Sequence, residues 1–202
     1  MIKIDLKKEC RELYSAKEKK PALIDARGFN YIMIDGKGNP NNSQAFQTAI
    51  ETLFSTAYAV KAFAKKSLNK DFTVPPLEGL WWAEDMAVFS AGKKDSWFWT
   101  LMIPLPDFAD NSLVIEAIMT VKIKKPHLKT DVLRFENYSE GKSVQMLHLG
   151  AYNEEAESMK LLHAFIKANG YAMEKKHHEI YLSDFRRTPP EKLKTILRQP
   201  VR

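Results

Sequence analysis

The sequence predicts an α+β fold: two pseudo-symmetric strand-helix-strand-strand modules around a central ligand cleft. Three observations predict it. The chain has 202 residues and 45% hydrophobic content, enough to bury a sizeable core. An order of strand, amphipathic helix and strand with a central glutamate occurs twice, running from Tyr31 to Glu78 and from Val144 to Glu179. Each glutamate stands in an apolar and aromatic run, Leu77-Glu78-Gly79-Leu80-Trp81-Trp82 and His177-His178-Glu179-Ile180-Tyr181-Leu182. Burying an ionised carboxylate is costly unless something compensates it, so a fold keeps one there mainly for use.

The elements follow in order. The first twenty residues read as a charged helix or arm. Tyr31-Ile32-Met33-Ile34-Asp35-Gly36 is a strand. From Ser43 to Lys66, Phe46, Ala49, Ile50, Leu53, Phe54 and Ala57 keep helical spacing. Pro76 to Trp82 is the first glutamate-bearing strand, and Ser96 to Ile103 is a strong strand. Asn111 to Lys124 is rich in Val and Ile, yet Val114, Ala117, Ile118 and Val121 fall at helical spacing, which predicts a connecting helix. Val144 to Leu149 is a strand leading into a helix, with Asn153 as N-cap, Glu154 and Glu155 in the first turn, Met159, Leu162 and Ile166 on one face, and Gly170 as its stop. After the Glu179 strand, the tail from Pro189 to Pro200 carries a short helical pattern around Glu191 to Leu197. The expected organisation is one domain over 1–202, with modules 22–109 and 131–202 joined by a helix over 110–125.

Composition narrows the function. The single cysteine, Cys10, excludes an intrachain disulfide and a multi-cysteine zinc site. It sits in the charged arm and is a poor candidate nucleophile. No window approaches the roughly 20 apolar residues that span a bilayer, and the N-terminus has no apolar signal core, so a cytoplasmic protein without membrane contact is expected. The net charge of +6 and pI near 9.2 come from dispersed lysines with small clusters at 17–20 and 122–125. That pattern suits a solvated surface better than a nucleic-acid groove. A monomer or weak dimer is expected.

Alternation along the Glu179 strand puts His178, Ile180 and Leu182 on one face and His177, Glu179, Tyr181 and Ser183 on the other. The apolar face can pack on helices while Glu179 and Tyr181 look into a cleft; a solvent-facing edge strand is the bland alternative. If the halves are related by a pseudo-dyad, Glu78 and Glu179 arrive on either side of one cleft. Trp82 shares strand parity with Glu78. Walls from Trp82, Trp99, Trp81, Trp97 and Tyr152 would suit a planar, aromatic and possibly cationic ligand. Any of these tryptophans could instead be core, and Tyr152 could simply staple the following helix. His177 and Glu179 share a face but lack a third ligand, so no metal is expected. His148 and His163 read as structural. No phosphate-binding loop and no Ser-His-Asp set is present, and no cofactor is expected.

The stretch Met146-Leu147-His148-Leu149-Gly150-Ala151-Tyr152-Asn153-Glu154-Glu155, then His177 to Asp184, then Arg186-Arg187-Thr188-Pro189-Pro190-Glu191-Lys192-Leu193-Lys194, resembles the GyrI-like small-molecule-binding family. The resemblance covers nearly the whole chain and is most specific in its last sixty or so residues. It implies two strand-helix-strand-strand modules about a pseudo-dyad and a ligand cleft with a central glutamate matching Glu179. The standalone subgroup most like this chain has a second glutamate matching Glu78 and aromatics like Trp81 and Trp82. Some of its members hydrolyse cyclopropane-bearing antibiotics of the yatakemycin and duocarmycin type. Ala151, where Pro is usual, and Phe185, where Pro is common, depart from the family pattern beside the motif.

The resemblance implies a cyclopropanoid hydrolase in which Glu78, Glu179 and Tyr181 serve as catalytic groups. Two nearby carboxylates in a partly dry site have their pKa values pushed apart, so one can act as acid while the other activates water. The alternatives are a non-catalytic drug-sequestering protein and a gyrase-binding interaction module. A pair of carboxylates favours the enzyme, because sequestering a cation needs only one.

Overall fold

The structure is a computed structural model that describes residues 2–84 and 94–202. In chain order its strands and helices are β1 (Ile2–Ile4), α1 (Leu6–Glu9), α2 (Arg11–Tyr14), β2 (Ala22–Ala26), β3 (Phe29–Lys37), α3 (Gln44–Ser67), β4 (Lys70–Phe72), β5 (Glu78–Trp82), β6 (Phe98–Leu105), α4 (Asn111–Lys124), β7 (Arg134–Tyr138), β8 (Gly141–Leu149), α5 (Ala156–Ala168), β9 (His177–Tyr181) and β10 (Lys194–Pro200). The fold is α+β. With the short β4 set aside, the strand-helix-strand-strand order appears as β3-α3-β5-β6 and again as β8-α5-β9-β10.

The chain forms two compact units. The first takes Met1–Glu9, Phe29–Pro75 and Trp81–Tyr138; the second takes Cys10–Gly28, Pro76–Leu80 and Ser139–Arg202. Residues 22–28 and 76–80, which the sequence reading assigns to the N-terminal module, therefore belong to the second unit.

In the first unit, β3 pairs antiparallel with β6, from Asn30 opposite Leu105 to Lys37 opposite Phe98, and with β7 on its other edge. β1 and β4 form a separate parallel pair. The long α3 starts where its sequence says it should. Ser43 is the N-cap, and its Oγ accepts the Phe46 amide at 3.2 Å. Phe46, Ala49, Ile50, Leu53, Ala57, Val60 and Ala64 recur at three- and four-residue steps and are buried. Asp110 caps α4 by accepting from the Leu113 amide at 2.9 Å, so the connecting helix forms as the spacing predicts. Gly36 lies opposite Trp99 in the β3–β6 register. A Cβ at Gly36 would stand 2.1 Å from the Trp99 ring, so only glycine lets the indole lie across the strand.

In the second unit the strand order is β2-β8-β10-β9, all antiparallel. Val144 and Met146 of β8, Leu197 of β10, Val201, and Leu162 and Ile166 of α5 form its core, with Met159, Phe165 and Tyr171 packed against it. Two expectations are corrected here. The tail of 189–200 is not helical beyond a single turn at Pro190–Lys192. Its Lys194–Pro200 segment is a strand paired on both sides and buried on both faces, so tertiary pairing overrides the short helical pattern. Asn153 does not cap α5 either. Tyr152–Glu154 forms a 3₁₀ turn, and the helix begins at Ala156. His148 holds that junction: Nδ1 lies 3.0 Å from Ser158 Oγ and Nε2 lies 3.2 Å from the Ala151 carbonyl. Gly170, at φ 74°, ends the helix in the left-handed conformation that favours glycine.

Candidate functional site

The site is built on β9. Its partner β10 places Leu197 opposite Glu179 and Arg198 opposite His178. Leu197 packs with Leu162 and Ile166 of α5, so by alternation His177, Glu179 and Tyr181 lie on the helix-facing side and His178 on the other. This corrects the expectation that the His178, Ile180 and Leu182 face packs on helices: a buried charge cluster, not a helix, covers His178.

On the helix side, the Tyr181 hydroxyl donates to Glu179 Oε2 at 2.7 Å. The Tyr152 ring meets the Tyr181 ring edge-on, with centroids 5.7 Å apart. Burial, together with the nearby carboxylates of Glu155, Glu179 and Asp184, pushes the Tyr152 hydroxyl up to about 12, so it stays protonated and can donate. Glu179 and Tyr181 are both half-buried, which leaves them reachable yet partly dry. His177 Nε2 stands 3.7 Å from Glu179 Oε1. Burial first, then the neighbouring His178 and His163, holds the His177 imidazole down at about 3. It is therefore neutral, and its approach to Glu179 is not an ion pair.

On the opposite side lies a buried polar cluster that the sequence reading missed. His178 is fully buried; its Nδ1 lies 2.9 Å from Glu140 Oε2, and its Nε2 makes a close charge contact with Glu78 Oε2 at 3.0 Å. Arg198 donates to Glu140 Oε2 at 3.0 Å, to Gln145 Oε1, and to the Leu13 carbonyl at 2.6 Å. The Tyr14 hydroxyl donates to Glu78 Oε1 at 2.9 Å. Burial alone would lower the His178 imidazole, but the Glu140 and Glu78 carboxylates outweigh it and hold it at about 9. Burial would likewise raise Glu140, yet His178 and Arg198 bring it to about 2. Burial and Glu78 raise the Tyr14 hydroxyl well above its usual value. Two cations thus face two carboxylates in the interior, the arrangement that makes buried charge tolerable.

The sequence reading places Glu78 and Glu179 along one cleft. The structure puts Glu78 on the His178 side, where it is 1% exposed, and Glu179 on the other. The physical reason is register: side chains alternate with period two, so a one-residue difference in which β9 residue faces Glu78 reverses its side. Arg198 could have been found by the reasoning applied to Glu179, since Ile196-Leu197-Arg198-Gln199-Pro200-Val201 is another apolar run holding a charge. Tyr14 and Glu140 sit in unremarkable local sequence and carry no such signal.

The tryptophans belong to the first unit. Trp99 is 1% and Trp81 5% exposed. Phe46 meets Trp99 edge-on at 5.1 Å, and Trp81 packs against Phe46 and Trp97. Trp82 and Trp97 are half-buried, and Trp82 stacks on Phe98 at 5.7 Å with planes 15° apart. Cys10 is buried. Among the described residues, no group of three or more His, Cys, Asp or Glu side chains could hold a metal ion, and no helix is long and apolar enough to cross a membrane.

This architecture is matched by a known family. Residues 19–202 fit the profile of the GyrI-like small molecule binding domain. The chain belongs to the GyrI-like family. Among solved structures, this GyrI-like chain is similar to an uncharacterized conserved protein from Listeria innocua, at 38% identity over 98% of this chain and 100% of that one, with a TM-score of 0.90. A hydrolase from Listeria innocua is also 38% identical, covers 100% of both chains and has a TM-score of 0.88. The C-terminal domain of EcmrR, at 12% identity over 91% of this chain and 97% of that one, has a TM-score of 0.58 and shares the fold alone. No curated protein sequence matches.

Proposed function

We propose that this GyrI-like chain binds a planar aromatic small molecule at the Glu179 site and hydrolyses cyclopropane-bearing alkylating antibiotics of the yatakemycin and duocarmycin type, thereby detoxifying them. The observation that carries the reading is the 2.7 Å hydrogen bond from Tyr181 to Glu179, beside the Tyr152 ring. It brings a proton acceptor and a phenolic proton donor together in a half-buried, aromatic setting. Two similar Listeria innocua chains named as hydrolases, at 36% and 38% identity, support hydrolysis as the reaction class.

In the proposed step, water attacks the less hindered cyclopropane carbon. A carbon–oxygen bond forms, the strained carbon–carbon bond breaks, and its electron pair moves through the dienone to the carbonyl oxygen. Glu179 takes the proton of the attacking water while Tyr181 turns its single hydroxyl proton from Glu179 Oε2 to the developing oxyanion, and the proton taken up by Glu179 is finally released to balance protonation of that oxyanion to a phenol. The sum is addition of one water, with no further co-reactant. Glu78 enters this reading from the opposite side of β9, as part of the cluster that fixes the strand.

The test is incubation with a duocarmycin-type compound followed by mass spectrometry. A product heavier by one water, formed at a rate proportional to protein, supports hydrolysis. An unchanged compound overturns it and leaves the binding protein. That second reading has its own support, because the Glu179 carboxylate beside two tyrosine rings suits an aromatic cation without any turnover.

A further inference from the structure

The geometry points to the outer edge of β7 as a docking surface for a second copy of this chain, with β7 pairing antiparallel to β7 about a two-fold axis at Phe135. β3 takes one edge of β7, from Phe29 opposite Tyr138 to Met33 opposite Arg134. Among the described residues no strand takes the other edge. Alternate residues of 134–137 turn their N–H and C=O groups to that edge, and among the described residues those groups have no backbone partner. Such a row of backbone groups is a template for one more strand.

Native edges are often blunted by charge, and β7 carries Arg134 and Glu136. Here the two signs make the edge complementary to itself. In an antiparallel pair centred on Phe135, Arg134 faces Glu136 of the second copy and Glu136 faces its Arg134. Leu133 meets Asn137 in the same way, and Phe135 meets Phe135. Residues directly opposite each other point to the same face of a sheet, so both ion pairs form on the face that Arg134 and Glu136 already share. Moving the axis by one residue sets Arg134 against Arg134 or Glu136 against Glu136. Charge therefore selects one register.

Both charged groups have capacity for the added bond. Arg134 donates from Nη1 to Glu136 Oε2 and from Nη2 to Asp35 Oδ1 at 2.9 Å within its own chain, and each of these nitrogens carries a second N–H. Glu136 is engaged through Oε2 alone, and its side chain is 52% exposed. On the other face Phe135 is half-buried, so two rings meet at the axis and shed water there. Val132, an exposed apolar residue just before the strand, lengthens the apolar contact. A pairing this short buries little area, which makes the dimer weak and reversible on dilution.

Sedimentation equilibrium over a concentration series tests the inference. The mass of the wild-type chain is expected to climb from 23.2 kDa toward double that value as concentration rises. Glu136→Arg and Arg134→Glu, each checked for folding by circular dichroism, are each expected to stay at one chain, because like charges then face each other across the axis. Mixed in equal amounts, the two variants are expected to associate, since each supplies the sign the other lacks. Where Arg134→Glu beside Asp35 does not fold, the double exchange of Arg134→Glu with Glu136→Arg decides instead: it keeps one charge of each sign and is expected to associate as wild type does. A wild-type mass that stays at one chain up to the highest soluble concentration overturns the inference and leaves the edge to water or to a different partner. Wild-type association by Glu136→Arg alone overturns it too, as does failure of both the mixture and the double exchange to associate.

Discussion

His178 and Glu179 are consecutive residues of β9 that serve opposite sides of the strand: His178 is locked among Glu78, Glu140 and Arg198, while Glu179 bonds Tyr181 beside the helix. The buried cluster fixes the backbone at His178, and the backbone at His178 positions Glu179. On the proposed function, stability and chemistry are thereby separated across one peptide unit.

The first prediction follows from that separation. Removing one partner of a buried charge cluster leaves the other uncompensated, typically at a cost of about 3–5 kcal/mol. Glu78→Ala should therefore lower unfolding free energy by an amount of that order in chemical denaturation, while Glu179→Ala should lower it much less. Equal losses would contradict the assignment of Glu78 to the interior and Glu179 to the site.

The second prediction concerns pH. His177, held at about 3, and His178, held at about 9, straddle their common unfolded value of 6.5. Between 3 and 6.5 the unfolded chain binds the extra proton at His177, so stability rises with pH. Between 6.5 and 9 the folded chain holds the extra proton at His178, so stability falls as pH rises. Glu140, lowered to about 2, adds stability that is present above 4.5 and lost as pH falls toward 2. Thermal melts across pH should show these two histidines contributing a maximum near 6.5. His177→Gln should flatten the acid side of that maximum.

The third prediction is at Gly36. With a Cβ placed 2.1 Å from the Trp99 ring, Gly36→Ala must displace a fully packed indole, and overpacking of this kind costs about 1–3 kcal/mol. Paired melts of Gly36→Ala alone and with Trp99→Phe should show the second change relieving part of the loss. Additive losses would place the strain elsewhere.

Much of this was legible in the sequence. The repeated order of elements, the Ser43 cap with its helical stripe, and the connecting helix all depend on local pattern, and local pattern is what a sequence carries. The β9 alternation was legible too, including the shared face of Glu179 and Tyr181, but not which of the two faces turns to the helix. Two kinds of information were not. The 194–200 segment has an ambiguous period and becomes a strand only because β8 and β9 take both of its edges. The side on which Glu78 lies depends on register between distant strands, which no local pattern fixes. The Tyr14–Glu78 bond joins residues 64 positions apart and could not be foreseen from either neighbourhood.

Turnover of a duocarmycin-type compound by Glu179→Gln tests the central claim most directly. The substitution keeps size and hydrogen-bonding capacity but removes the group that accepts the water proton. The expected result is a kcat lower by about 10²-fold or more, in a folded protein that still binds the compound. A Glu179→Gln protein that adds water to the compound at the wild-type rate would contradict the role assigned to Glu179 and, with it, the proposed site.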